Sequence, residues 1–249
     1  MSFDPCFVVP VYNHGTTISA TAAALRRHGL TIYLVDDGSD AATATTLDRL
    51  AADDPLIRLI RRPRNGGKGA AVMDGFRAAQ RDGRTHALQV DADGQHALDD
   101  VDRFLAASRQ APDKVVCGVP DYDHSVPRAR LYGRYATHVW VWIETLSFDI
   151  RDAMCGFRLY PLEPTCQLIS EVRLGTRMDF DIDVLVRLYW RGVRIVNLPT
   201  RVSYPKGGIS HFRMLRDNAL ISWAHTRLAI GMLLRMPLLL GQKLTRGRN

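Results

Sequence analysis

The chain is poor in cysteine: four in 249 residues, Cys6, Cys117, Cys155 and Cys166, with no CxxC pair among them. No His/Cys cluster has zinc-finger spacing. This argues against a disulfide framework or a structural zinc site and predicts reduced, mostly buried thiols of a cytosolic protein. No apolar run reaches the ~18 uncharged residues of a spanning helix. The start, Met1-Ser2-Phe3-Asp4-Pro5, lacks a basic stretch followed by a long apolar run, so no signal peptide is expected. No GxGxxG follows the first apolar run, which disfavours a dinucleotide site. Asn65-Gly66-Gly67-Lys68-Gly69 is not a P-loop, because position 62 is Arg and Gly69 stands where Ser or Thr would be needed. Internal repeats and low-complexity stretches are absent as well. Acids are scarce beyond residue 200. Residues 201–249 hold nine Lys/Arg against Asp217 alone, so this segment carries the net positive charge and residues 1–200 are close to neutral. A basic segment predicts an anionic surface, lipid or nucleic acid, or else a solvated tail. No nucleic-acid-binding module is recognisable, so no nucleic-acid partner is expected.

What is present is a globular composition, 46% hydrophobic and 24% charged, in a length that suits one large α/β domain with an appendage. Short β-branched runs alternate with amphipathic stretches. Strands are predicted at 7–11, 32–35, 57–60, 87–90 and 115–119, and helices at 16–28, 41–52, 69–82 and 98–109. This rhythm predicts a parallel, doubly wound α/β sheet whose ligands bind at the carboxyl ends of the strands. The second half is less regular. A helix rich in aromatics is predicted at 128–146, a loop and strand at 152–160, a helix at 180–191 and a strand at 194–198. From 212 to 240 the pattern is helical and apolar, with Pro237 breaking its last part. Arg227 and Arg235 lie eight apart, about 80° on a helical wheel. That fits a helix lying in a membrane surface, or one packed on the domain, better than one that crosses. The predicted division is a domain at 1–211 and a basic amphipathic tail at 212–249.

The polar motifs fall at the predicted ligand edge. Asp91-Ala92-Asp93-Gly94-Gln95-His96 directly follows the fourth strand. Two carboxylates one residue apart at a strand exit can face one hard cation, Mg²⁺ or Mn²⁺, which prefers oxygen ligands and often binds substrate phosphates too. The alternative is a solvated acidic turn. Val35-Asp36-Asp37-Gly38-Ser39 closes the second strand. Asp36 can accept hydrogen bonds from a base or ribose, while Asp37 and Ser39 suit a turn and the cap of the next helix. In Pro10-Val11-Tyr12-Asn13, Tyr12 can stack on a base and Pro10 stiffens the strand exit. The glycine-rich turn brings Lys68 and backbone amides toward something anionic, or is a turn without a ligand.

Together with Cys155-Gly156-Phe157-Arg158, these motifs resemble the family 2 glycosyltransferases in order and spacing over roughly residues 5–212. The resemblance is strongest to polyprenyl-phosphate hexose synthases such as dolichol-phosphate-mannose synthase. Residues 138–146 and 178–181 look like the glycosyltransferases of bacterial aryl polyene and xanthomonadin-type clusters. The resemblance implies a GT-A fold and inverting transfer of a hexose from a UDP- or GDP-linked sugar to a lipid-type acceptor. It implies Asp91, Asp93 and Gln95 at the metal. Pro10, Tyr12, Asp36, Lys68 and Ala92 would lie with the metal-binding acids around the nucleotide sugar. Arg130, Arg134 and Arg158 would meet the acceptor. Two departures stand out. Gly118-Val119-Pro120 replaces the usual Gly-Ser-Arg, and Pro205-Lys206-Gly207-Gly208-Ile209-Ser210-His211 replaces the usual Arg-x-x-Gly-x-Ser-Lys. Lys206, on the donor side, and His211, on the acceptor side, are the candidates to stand in for the missing cations.

A lipid phosphate arrives as an anion and needs no general base, whereas a hydroxyl acceptor does. The ranked candidates for a base are Asp181, Asp179 and Asp152. On a helix Asp179 and Asp183 share a face and Asp181 points elsewhere. Some of these acids can instead cap the helix that starts near Phe180. Trp140, Trp142 and Phe148 line an apolar acceptor groove or pack in the core. The expected location is cytoplasmic, peripheral on the inner face of the plasma membrane. Two rivals remain: a nucleotidyltransferase, which would release pyrophosphate rather than nucleoside diphosphate, and a non-catalytic membrane- or nucleic-acid-binding module.

Overall fold

The computed structural model describes residues 3–122, 128–202 and 213–246. Its first half follows the predicted rhythm: β1 Pro5–Val11, α1 Gly15–Arg26, β2 Ile32–Asp36, α2 Ala41–Asp53, β3 Ile57–Arg61, α3 Lys68–Arg81 and β4 His86–Gln89. A 3-10 turn, Leu98–Asp100, leads into α4 Val101–Gln110, and β5 Val115–Tyr122 follows. The second half comprises α5 Arg128–Thr145, β6 Arg158–Pro161, α6 Leu162–Glu171, α7 Phe180–Trp190, β7 Ile195–Val202 and α8 Met214–Arg246.

The seven strands form one sheet in the order β3-β2-β1-β4-β6-β5-β7. Six run in one direction. β6 is antiparallel to both β4 and β5, so the sheet is mostly parallel, as expected. Both faces are covered. Along β1, Cys6 and Val8 join one core cluster while Phe7, Val9 and Val11 join the other. A continuous apolar run is what a strand buried on two faces requires. The strand order reverses between β1 and β4, which opens a crevice at their carboxyl ends. β6 enters the sheet from that same rim because it runs the opposite way. Its register sets Arg158 beside Gln89 and brings the Cys155-Gly156-Phe157 turn next to the exit of β4.

Two local expectations are corrected. α6 was not foreseen. Pro164 sits in its first turn, where a missing N–H costs the helix nothing. Pro237 does not end α8, which runs through it. The carbonyl that loses its partner belongs to Leu233, on an exposed stretch where water can replace the bond. α8 packs on α5 and α7 through a stripe at Ile221, Ala224, His225, Leu228 and Met232. Among the described residues, no helix is long and apolar enough to cross a membrane.

Candidate active site

Asp91 leaves β4 at the crevice, and its carboxylate is gripped by the ammonium of Lys68, 2.8 Å from Oδ1 and 2.9 Å from Oδ2. The same ammonium lies 2.9 Å from Asp181 Oδ2. One lysine at the first turn of α3 therefore ties the β4 exit to α7. Burial favours a neutral Asp91, but Lys68 and His96 overcome it and hold the carboxyl far below the ordinary range. Burial likewise works against the Lys68 charge, and the two carboxylates more than restore it. Asp93 behaves oppositely. Burial, then the negative charge of Asp91, raises its pKa, with its Oδ1 accepting from the Gln95 amide at 3.0 Å. His96 Nε2 lies 3.4 Å from Asp91 Oδ2, and its ring stacks on Phe157 at 5.2 Å.

The floor of the site is built from buried polar groups. Gln89 Nε2 donates to Asp181 Oδ1 at 3.1 Å, and Arg158 Nη1 donates to the Asp181 carbonyl at 2.6 Å. Arg158 is 0% exposed, so this residue, expected at the acceptor, lies beneath the site and supports α7. A Cβ on Gly156 would stand 2.5 Å from both Asp91 Oδ2 and Lys68 Nζ. Glycine lets the β6 entry turn pass close to the ion pair without displacing either side-chain tip.

On the donor side, loops are stitched by carboxylates. Asp36 accepts from the Ser39 amide at 2.9 Å and from Arg61 Nε at 3.1 Å. Asp40, the last residue of the expected Asp37-Gly38-Ser39-Asp40 turn, caps α2, accepting from the Thr43 amide at 2.8 Å. Asp37 instead accepts from the Gly66 and Gly67 amides, at 2.9 and 2.7 Å, and pairs with Arg62. That clamp sets the glycine-rich turn, where Gly67 has a positive φ of 100°. The turn is held from its other side by the segment at 175–177, with the Ala70 amide donating to the Thr176 carbonyl at 3.0 Å. Pro10 and Tyr12 are half-buried at the end of β1. Ala92 is buried, its carbonyl accepting from Thr17 Oγ1 at 2.7 Å.

The three candidate bases separate. Asp181 is buried and faces Lys68 and Gln89. Asp179 turns back to accept from the Arg177 amide at 3.0 Å, and Asp183 accepts from the Gly175 amide at 3.0 Å and pairs with Arg187 and Arg227. Asp152 accepts from Arg134 Nε at 2.5 Å and Nη2 at 2.6 Å, with His138 Nε2 at 3.2 Å. Its acidity is strengthened by His138 and Arg134 against the upward push of burial. A cleft of about 110 Å³ joins the two sides. Asp91, Gln95, His96 and Gly156 line it with Pro120 and Arg134. The Arg130 side chain, Lys206 and His211 lie outside the described residues.

Among the described residues, no three acidic, His or Cys side chains converge as a complete metal-ligand set. Two carboxylates are nonetheless what Mg²⁺ or Mn²⁺ uses when substrate phosphates fill the remaining positions. The mutual repulsion of Asp91 and Asp93, seen in the raised Asp93, is a charge pattern that a divalent cation relieves. The residues therefore fit such an ion.

Sequence reasoning assigned no role to Gln89, His96, Gly156 or His138. A glutamine inside the apolar run Ala87-Leu88-Gln89-Val90 was a readable signal. Gly156 and His138 gain their meaning only from chain crossings that the sequence does not display.

Comparison with known proteins agrees with this geometry. The chain is 28% identical over 197 residues to an undecaprenyl-phosphate mannosyltransferase of Micrococcus luteus, covering 77% of this chain and 80% of that protein. It is 26% identical over 217 residues to a polyprenol monophosphomannose synthase of Mycolicibacterium smegmatis, covering 82% and 78%. In fold it resembles glucosyl-3-phosphoglycerate synthase of Mycobacterium tuberculosis, crystallised with Mn²⁺ and UDP-glucose: TM-score 0.63, 16% identity, 92% of this chain and 77% of that one. Mannosyl-3-phosphoglycerate synthase of Rubrobacter xylanophilus is similar at TM-score 0.63 and 16% identity, covering 94% and 75%. These likenesses show a GT-A fold. With the glycosyl transferase family 2 model matching residues 6–171, the chain belongs to that family and is a glycosyltransferase.

Proposed function

We propose that this glycosyltransferase moves a hexose from a nucleoside-diphosphate sugar to a polyprenyl phosphate at a membrane surface. The observation that carries the reading is a cleft whose lining includes both Asp91 and Arg134. The first suits a metal-bound diphosphate, the second an anionic acceptor. Asp91 and Asp93 would hold Mg²⁺ or Mn²⁺, with Gln95 fixing the Asp93 turn through its amide. The ion would offset charge on the departing diphosphate.

The chain's own residues do the rest. The Asp37 clamp fixes the glycine-rich turn so that Lys68, at the start of α3, is held toward the diphosphate. Tyr12 and Asp36 hold the nucleotide. Asp152 fixes the Arg134 guanidinium in the cleft wall, where it orients the acceptor phosphate for in-line attack. A phosphate acceptor needs no general base. Asp181 then positions Lys68, and it becomes the base only if the acceptor is a hydroxyl, as an aryl polyene lipid would supply.

The names of the mannosyltransferase and synthase relatives favour the polyprenyl acceptor. The apolar outer face of α8 and the basic charge beyond residue 200 favour the membrane. The test is to supply UDP- and GDP-hexoses with polyprenyl phosphate and Mn²⁺. Nucleoside diphosphate should be released only when all three are present, and Asp91→Asn should lower the rate by about 10²-fold or more. Release of pyrophosphate, or full turnover without lipid phosphate, would overturn the proposal.

A further inference from the structure

Lys68 does more in this structure than approach a ligand. Its ammonium lies between Asp91 and Asp181, within 2.9 Å of both. Gly156 passes close beside the pair, where a Cβ would press on both Asp91 Oδ2 and Lys68 Nζ. We propose that Lys68 is a built-in stand-in for the divalent cation. It neutralises the site while the donor is absent, and it must be drawn off Asp91 before a metal binds there. The inference rests on the reading that Asp91 is a metal ligand.

The charge balance supports it. The half-buried Asp91 and the buried Asp181 share one ammonium between them. A divalent cation added beside an unmoved ammonium would bring two positive centres together in a poorly screened site. A nucleoside diphosphate resolves the conflict because its oxygens offer the ammonium another partner. Lys68 is suited to the transfer: a compact charge on a flexible four-carbon arm. Its root is the first residue of α3, a helix end that favours an anion. Metal and nucleotide therefore enter together, and the metal alone binds poorly. Asp181 is released from the ammonium in the same event, so that carboxylate becomes available only in the loaded site.

The test is direct Mn²⁺ binding, followed by electron paramagnetic resonance without any sugar donor. Lys68→Met should bind Mn²⁺ at least ~10-fold more tightly than the unaltered chain, whereas Lys68→Arg, which keeps the charge, should stay within about twofold of it. Adding UDP or GDP should tighten Mn²⁺ binding in the unaltered chain more than in Lys68→Met. Should Lys68→Met fail to fold, Lys68→Gln carries the same comparison, since its amide can bond both carboxylates without a charge. Equal or weaker Mn²⁺ affinity in the neutral variants overturns the stand-in role and leaves the metal reading intact. Absence of Mn²⁺ binding by every form, even with nucleoside diphosphate, removes the metal reading and this inference with it.

Discussion

His86, at the start of β4, has both ring nitrogens engaged. Nε2 donates to the Pro112 carbonyl at 2.8 Å, and Nδ1 faces the Thr85 hydroxyl at 2.8 Å. A carbonyl can only accept, so Nε2 carries a proton. Burial lowers its pKa from the ordinary 6.5, with the Pro112 bond opposing. An unfolded chain takes up this proton below about pH 6.5 while the folded one resists until lower pH, so acidification through that window favours unfolding. Stability measured by denaturant melts should fall over that window, and His86→Gln should flatten the fall. A variant with the same pH slope as the parent would refute the assignment. At this scale the sequence told part of the story. The place of Asp91 and Asp93 at the ligand edge was readable because their motif directly follows an apolar strand. Asp37 was not, because the amides it holds lie 29 and 30 residues away in the chain. Arg158 misled for a similar reason: a lone arginine after a glycine turn looks exposed until an antiparallel strand carries it into the sheet.

At the scale of elements, α7 links the C-terminal helix to the donor turn. Asp179 and Asp183 share the face that holds residues 175–177, while Asp181 points to Lys68. The i, i+4 spacing made that split readable. Its consequence was not, since Arg227, which reaches Asp183 Oδ2 at 3.3 Å, comes from α8. Asp183 is fully buried and answers two guanidinium groups and one amide. Asp183→Ala should cost about 3–5 kcal/mol of folding stability, because it strands the charges that remain. It should also weaken donor binding, since the 175–177 segment braces the glycine-rich turn. Denaturant melts and calorimetric titration with the nucleotide sugar check the two effects. Unchanged donor affinity in the folded variant would show that the brace does not reach the site. α6 and the path of α8 through Pro237 escaped the sequence reading because proline breaks a helix only where it removes a bond that nothing replaces.

At the scale of the whole molecule, α8 is apolar on two sides. Its inner stripe packs on α5 and α7, and its outer side presents Leu215, Trp223, Leu233, Leu234 and Leu238, with Leu215 91% exposed. Trp140 and Ile143 of α5 are exposed as well. An exposed set of this kind beside a basic segment suits an anionic bilayer. Removing residues 212–249 would also strip Ala224 and Leu228 from the core, so point changes give the cleaner test. Replacing Leu233, Leu234 and Leu238 together by Gln should lower sedimentation with anionic vesicles by about tenfold or more while the melting temperature holds. Partition equal to that of the parent would sink the membrane role of this face. The parallel core and its ligand edge were readable from the alternation of strands and helices. The strand order was not, because it depends on which neighbour β6 selects.

That choice of neighbour bears on how the protein can be cut. A fragment ending at residue 122 would own five strands yet lack the ribbon that joins its fourth to its fifth, so it cannot close a continuous sheet. The donor-binding half is therefore not a transplantable module. A chimera that exchanges acceptor halves between relatives has to carry residues 158–161 along with the front of the chain, or it will assemble with a gap through its middle.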